Sequence, residues 1–82
     1  MSVTIVPYGN VDSPAALGRL LRQRRKADRM TQAEAAALCG VGTRFLSELE
    51  RGKATAELGK VLRVLRGLGL ELVVTPRGGS TR

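Results

Sequence analysis

Residues 31–53, TQAEAAALCGVGTRFLSELERGK, constrain this chain more than any other stretch, because several side chains there each meet a separate steric demand. Counting Gln32 as position one, Ala36 falls at five, Gly40 at nine, Val41 at ten, Leu46 at fifteen and Leu49 at eighteen. Two helices that cross closely need a small side chain at the contact, which Ala36 supplies, and Gly40 can take the positive φ that turns the chain without strain. Val41, Leu46 and Leu49 then anchor a second helix at helical spacing, which leaves Thr43, Arg44, Ser47 and Glu48 on its other faces and toward its amino-terminal end. An ordinary helical hairpin needs none of these coincidences.

The spacing is that of a helix-turn-helix, whose second helix lies in the DNA major groove and reads base edges with its amino-terminal residues. Charge points the same way. The 82 residues carry 14 Lys and Arg against 7 Asp and Glu, a net +7 that suits a polyanionic partner better than a small acidic substrate. A chain this short has a thin core, so stabilisation by a second copy is expected. With one cysteine and no histidine it has neither an internal disulfide nor an ordinary zinc or imidazole site. Cys39, next to the turning glycine, reads as a small core residue rather than a redox sensor. No glycine-rich phosphate loop, paired carboxylates or nucleophile motif appears, so neither catalysis nor a cofactor is expected. Nor does any apolar run reach the length of a membrane span, and residues 1–14 lack the pattern of a secretion signal; a soluble, cytoplasmic protein follows.

Along the chain, residues 1–12 read as an extended arm with a β-prone run at residues 3–6. Ser13 followed by Pro14 starts a first helix that runs to about Asp28. Leu17, Leu20 and Leu21 form its core stripe, while Arg19, Arg22, Arg24, Arg25, Lys26 and Arg29 make it strongly basic, either as a solvated face or as a grip on phosphates. Thr31 caps the second helix in a capping box with Glu34, the third spans about residues 43–50, and Gly52 stops it. A fourth covers about residues 56–68, with Leu58, Val61, Leu62, Leu65 and Leu68 closing the core. Residues 70–75 alternate Leu70, Leu72 and Val74 with Glu71, Val73 and Thr75, the pattern of a strand that Pro76 ends. A lone strand leaves its backbone unpaired, so it should pair with residues 3–6 or, the favoured option, with its own copy in a second subunit. Residues 77–82 have nothing to bury and should be a disordered tail.

The run RRKADRMTQAEAAALCGVGTRFLSELERGK resembles the lambda-repressor-like, or Xre-type, helix-turn-helix family, and the likeness extends over residues 13–69. The ending ATAELGKVLRVLRGLGLELVVTP, with a strand in place of a fifth helix, is similar to the short HipB-type antitoxins. The expected fold is therefore mainly α: a four-helix domain with a short β-strand, residues 70–76, pairing across a dimer. The resemblance implies a homodimeric repressor that binds palindromic double-stranded operator DNA and holds a HipA-type serine/threonine kinase toxin inactive in a toxin–antitoxin pair.

Carried over by position, the family's base-reading residues fall on Thr43, Arg44, Ser47 and Glu48, and its backbone-contacting residues on Gln32, Arg51 and Lys53. Arg44 can make a bidentate pair to a guanine edge or act as a further phosphate contact, and Thr43 and Ser47 compete between base edges and solvent. A carboxylate at Glu48 is repelled by phosphates unless it accepts from a cytosine amino group or, as is favoured, pairs with a neighbouring arginine. Arg25 and Glu50 match an ion pair tying the first helix to the third, worth at most about 1 kcal/mol if exposed. Three departures stand out. Gly42 brings no capping hydroxyl, Arg24 sits where an apolar residue is usual, and Phe45 is bulkier than the usual small hydroxyl residue. A free-standing regulator and a protein-interaction module without specific DNA binding are the rival functions; single-stranded RNA binding ranks lower, since Tyr8 and Phe45 are the only aromatic residues.

Overall fold

The computed structural model describes residues 7–77. Four helices follow one another along the chain: α1 (Pro14–Ala27), α2 (Gln32–Cys39), α3 (Thr43–Glu50) and α4 (Leu58–Gly67). The helix starts obey their sequence signals. Ser13 Oγ accepts from the Ala16 amide at 3.1 Å, with Pro14 in the first turn of α1. At α2 the capping box is complete, since Thr31 Oγ1 accepts from the Glu34 amide at 3.1 Å while Glu34 Oε1 accepts from the Thr31 amide at 2.9 Å. Gly42 caps α3 without a side-chain bond, as a residue lacking a hydroxyl must.

Gly40 ends α2 with φ of 73°, and the Val41 amide donates back to the Ala36 carbonyl at 3.0 Å, which throws α3 across α2 at the small residue expected there. α1 lies against α3, and α4 closes over α2. The approach of α1 to α3 depends on Gly18, a requirement the helical pattern does not reveal. A Cβ there would stand 2.5 Å from the Glu50 carbonyl oxygen and 2.6 Å from that of Leu49.

The core is built from Leu21, Ala35, Ala36, Cys39, Leu46, Leu49, Val61, Val64, Leu65 and Leu68, with Leu17, Val41 and Phe45 packed on its edge. Leu20 is only half-buried, off the centre of the α1 stripe. The larger correction falls on α4. Two of its expected core leucines face outward, Leu58 at 63% and Leu62 at 36% exposure, while Val64 is fully buried. Val61, Val64, Leu65 and Leu68 define one helical stripe, and Leu58 and Leu62 lie beside it; spacing alone does not tell which of two adjoining apolar stripes meets the core. α4 is also shorter than expected, because residues 54–55 form a turn and Ala56 packs on the core ahead of the helix.

Residues 70–76 form no strand; among the described residues there is none. Leu70 packs on the edge of the core, but Leu72, Val73 and Val74 are all exposed, so no alternation develops within one chain. An isolated segment of this kind has no ladder to join unless a second strand is supplied. The β-prone run at residues 3–6, the alternative partner, lies outside the described residues, as do residues 78–82 of the expected tail.

A candidate nucleic-acid interface on α3

α3 separates its side chains cleanly. Leu46, Leu49 and Glu50 are buried, Thr43 and Arg44 are exposed, and Ser47 and Glu48 are half-buried at the border. Thr43 and Ser47, four residues apart, share one face of the helix. Because Gly42 offers no capping side chain, the first amides of α3 stay free for an external acceptor, at the end where the helix dipole is positive.

Glu48 organises the exposed side. Its carboxylate accepts from Lys53 Nζ at 3.0 Å through one oxygen and from Arg44 Nε at 3.3 Å through the other. The pairing favoured for Glu48 is thus present, and it engages two of the cations assigned to DNA at once. Hydrogen bonding from Lys53, followed by weaker help from Arg44, holds the Glu48 carboxyl below the usual carboxylate range. Arg51 joins this group where the chain leaves the helix: Glu48, Arg51, Gly52 and Lys53 line an open, shallow depression. Within it the Lys53 amide donates to the Glu48 carbonyl at 3.1 Å. The shape and cations suit an anionic oxygen.

Gln32 sits apart from that group. Its Nε2 donates to Glu50 Oε1 at 3.0 Å, leaving one amide hydrogen for an external acceptor. Glu50 in turn takes a two-pronged bond from Arg25, Nε at 2.6 Å and Nη2 at 2.9 Å, and Arg25 Nη1 donates to the Met30 carbonyl at 2.8 Å. The pair is buried, with side-chain exposures of 9% and 3%, so the surface value of at most about 1 kcal/mol does not apply. Burial by itself would raise the Glu50 pKa; the bonds from Arg25 and Gln32 and the nearby Arg22 charge outweigh it and leave the carboxyl below its ordinary value. This network fixes the root of α2 against the end of α3 and so sets the angle at which α3 is presented.

One side chain has a role that sequence reasoning did not assign. Arg24 is a clamp: its Nε donates to the Leu68 carbonyl at 2.9 Å, at the end of α4, and its guanidinium lies 5.7 Å from the Tyr8 ring centroid. The signal available was Asp28, one turn on, which pairs with Arg24 at 3.5 Å. Phe45 packs against the core edge, with Lys60 Nζ 5.6 Å from its ring centroid. Cys39 is buried, its Sγ donating to the Val64 carbonyl at 3.6 Å, and burial pushes its thiol pKa up. Among the described residues no cluster of metal-ligating side chains occurs and no helix is long and apolar enough to cross a membrane.

Comparison with known proteins agrees with this geometry. The profile of the helix-turn-helix domain family matches residues 16–77. An HTH-type transcriptional regulator of Sinorhizobium fredii is 44% identical over 68 residues, which span 83% of this chain and 90% of that protein. A second from the same organism is 39% identical over 57 residues, of which the chain spans only 29% of the relative's length. Among solved structures, HipB in a complex with its O4 20mer superposes with a TM-score of 0.76 at 22% identity, covering 84% of this chain and 97% of that one. A HipA–HipB–O2–O3 complex matches to the same extent. At that identity the likeness is one of fold.

Proposed function

Because the chain belongs to the helix-turn-helix domain family, we propose that it is a homodimeric, sequence-specific repressor that lays α3 of each subunit in successive major grooves of a palindromic operator. It is an HTH-type transcriptional regulator and not an enzyme. The observation that carries the finer reading is the outer side of α3, where Thr43 and Arg44 are exposed and Ser47 and Glu48 stand at the border above a core-anchored inner side. Thr43, Arg44 and Ser47 reach base edges, with Arg44 suited to a guanine, while Gln32, Arg51 and Lys53 grip phosphates. Half-sites about one helical turn, some 34 Å, apart follow from the two-fold symmetry.

Dimer pairing through residues 70–76 is supported by the exposure of Leu72, Val73 and Val74, an apolar segment that a second copy would cover. Within this class the antitoxin role, with a HipA-type serine/threonine kinase toxin as partner, draws its support from the HipB-like fold and the residue pattern after α4. A free-standing regulator is the second reading, favoured by the two regulators that the chain resembles in sequence. DNA selection from a random pool with the full-length protein tests the first step: a palindromic consensus is expected, and failure to enrich any sequence overturns DNA reading. Co-purification with the product of an adjacent gene separates antitoxin from free-standing regulator.

A further inference from the structure

Glu48 is an unusual occupant for a face meant to meet phosphates, and its contacts give it a task. The Arg44 side chain is 91% exposed, and its fixed contact among the described residues is the Glu48 carboxylate at 3.3 Å. Lys53 is half exposed and is held by the same carboxylate at 3.0 Å. Glu48 itself is only 24% exposed, at the border between core and solvent, with both cations on its carboxylate.

We propose that Glu48 is the selectivity residue of this surface: it holds Arg44 and Lys53 back from indiscriminate phosphate contact and releases them only where a base pair offers its carboxylate a cytosine amino group. The inference deepens the proposed DNA-reading function and rests on it. On random DNA a phosphate must displace a carboxylate from each cation, and the carboxylate stays behind as a repulsive charge within a Debye length of the backbone. On a matching site the exposed N4 amino group of cytosine donates to Glu48, which neither a guanine edge nor a thymine edge can do. Adenine offers an amino group too, but beside its N7 acceptor, which repels the second carboxylate oxygen. Arg44, freed at the same moment, can then pair with the O6 and N7 of a neighbouring guanine. The predicted half-site therefore contains a cytosine and a guanine close together, read by two side chains one turn apart on α3.

The test compares full-length wild type with Glu48→Gln and Glu48→Ala. Each is assayed by DNA selection and by titration onto the selected operator and a random duplex at several salt concentrations. Expected is a rise in random-DNA affinity of about three- to tenfold at low salt, shrinking as salt screens the charge. The operator-to-random ratio should drop by about tenfold or more, and the cytosine should vanish from the consensus selected by Glu48→Ala, while Glu48→Gln, whose amide offers both a donor and an acceptor, should shift that position toward adenine. Unchanged melting temperatures would show that these effects arise at the surface. Random-DNA affinity that does not rise, or a Glu48→Ala consensus that keeps its cytosine, overturns the inference while leaving DNA reading intact. If the wild-type chain selects no sequence, both fall together.

Discussion

Two glutamates, Glu48 and Glu50, stand two residues apart on α3 and live in opposite worlds. Glu50 is buried and receives Arg25 in a fork of 2.6 and 2.9 Å plus the Gln32 amide. Glu48, at the border with solvent, holds Arg44 and Lys53 by single bonds of 3.3 and 3.0 Å. In both the carboxyl is kept below its ordinary pKa, yet only one of the pairs is part of the fold. The contrast follows from helical geometry, since a step of two residues turns a side chain by about 200° and carries it from one face to the other. An ion pair inside is a rivet, because removing one partner strands a charge away from water; an ion pair outside is exchangeable, because water and phosphate compete for it on nearly equal terms.

The sharpest way to break the contrast is to remove Arg25. Arg25→Ala should lower stability by about 3–5 kcal/mol, measured by urea unfolding, because it leaves Glu50 buried without its main partner. The reciprocal replacement of both residues by apolar ones of similar volume should recover most of that loss. Next in size, Gly18→Ala should cost about 1–3 kcal/mol by pressing α1 off the carbonyls at the end of α3. Arg44→Ala should leave stability unchanged but weaken operator binding by about 1–3 kcal/mol and relax one base position, whereas Lys53→Ala should weaken operator binding without relaxing any base position and flatten the operator's salt slope by about 0.9 per subunit. The smallest effect is expected at Arg29, which follows α1 with a left-handed φ of 59°; Arg29→Gly should gain roughly 0.5–1 kcal/mol in thermal unfolding.

Acid tests the buried glutamate directly. Since the folded-state pKa of Glu50 is depressed, its contribution to stability is complete above its unfolded value of about 4.3 and is lost as pH falls through the lower folded-state value. Wild-type stability should thus drop as the solution passes from about pH 5 downward, and a Glu50→Gln variant should show a shallower drop. A pH profile that is identical in the two proteins would remove Glu50 from the acid response.

How far the sequence reaches depends on whether a feature is local. The caps at Ser13 and Thr31, the turn at Gly40 and the anchors Ala36, Leu46 and Leu49 were legible because each is specified within a few residues. The Arg25–Glu50 pair was legible from position, but its burial was not, since that depends on how α1, α2 and α3 close together. Leu58 and Leu62 misled for a related reason. Leucine is apolar wherever it sits, and only the packing of α4 on α2 decides that Val64 faces inward while those two face outward. The alternation at residues 70–75 describes what a strand would need without supplying its partner. At the DNA-facing surface the residue types were visible, but that Glu48 already holds both Arg44 and Lys53 emerges only from side-chain geometry.

The most direct check on that surface is amide NMR shift mapping of the full chain titrated with its selected operator. Docking through α3 predicts that the perturbed amides cluster at Gln32, residues 43–48 and residues 51–53, while the exposed side of α4 around Leu58 and Leu62 is unmoved by DNA itself. Perturbations concentrated on α4, with Thr43, Arg44 and Ser47 unchanged, would contradict it.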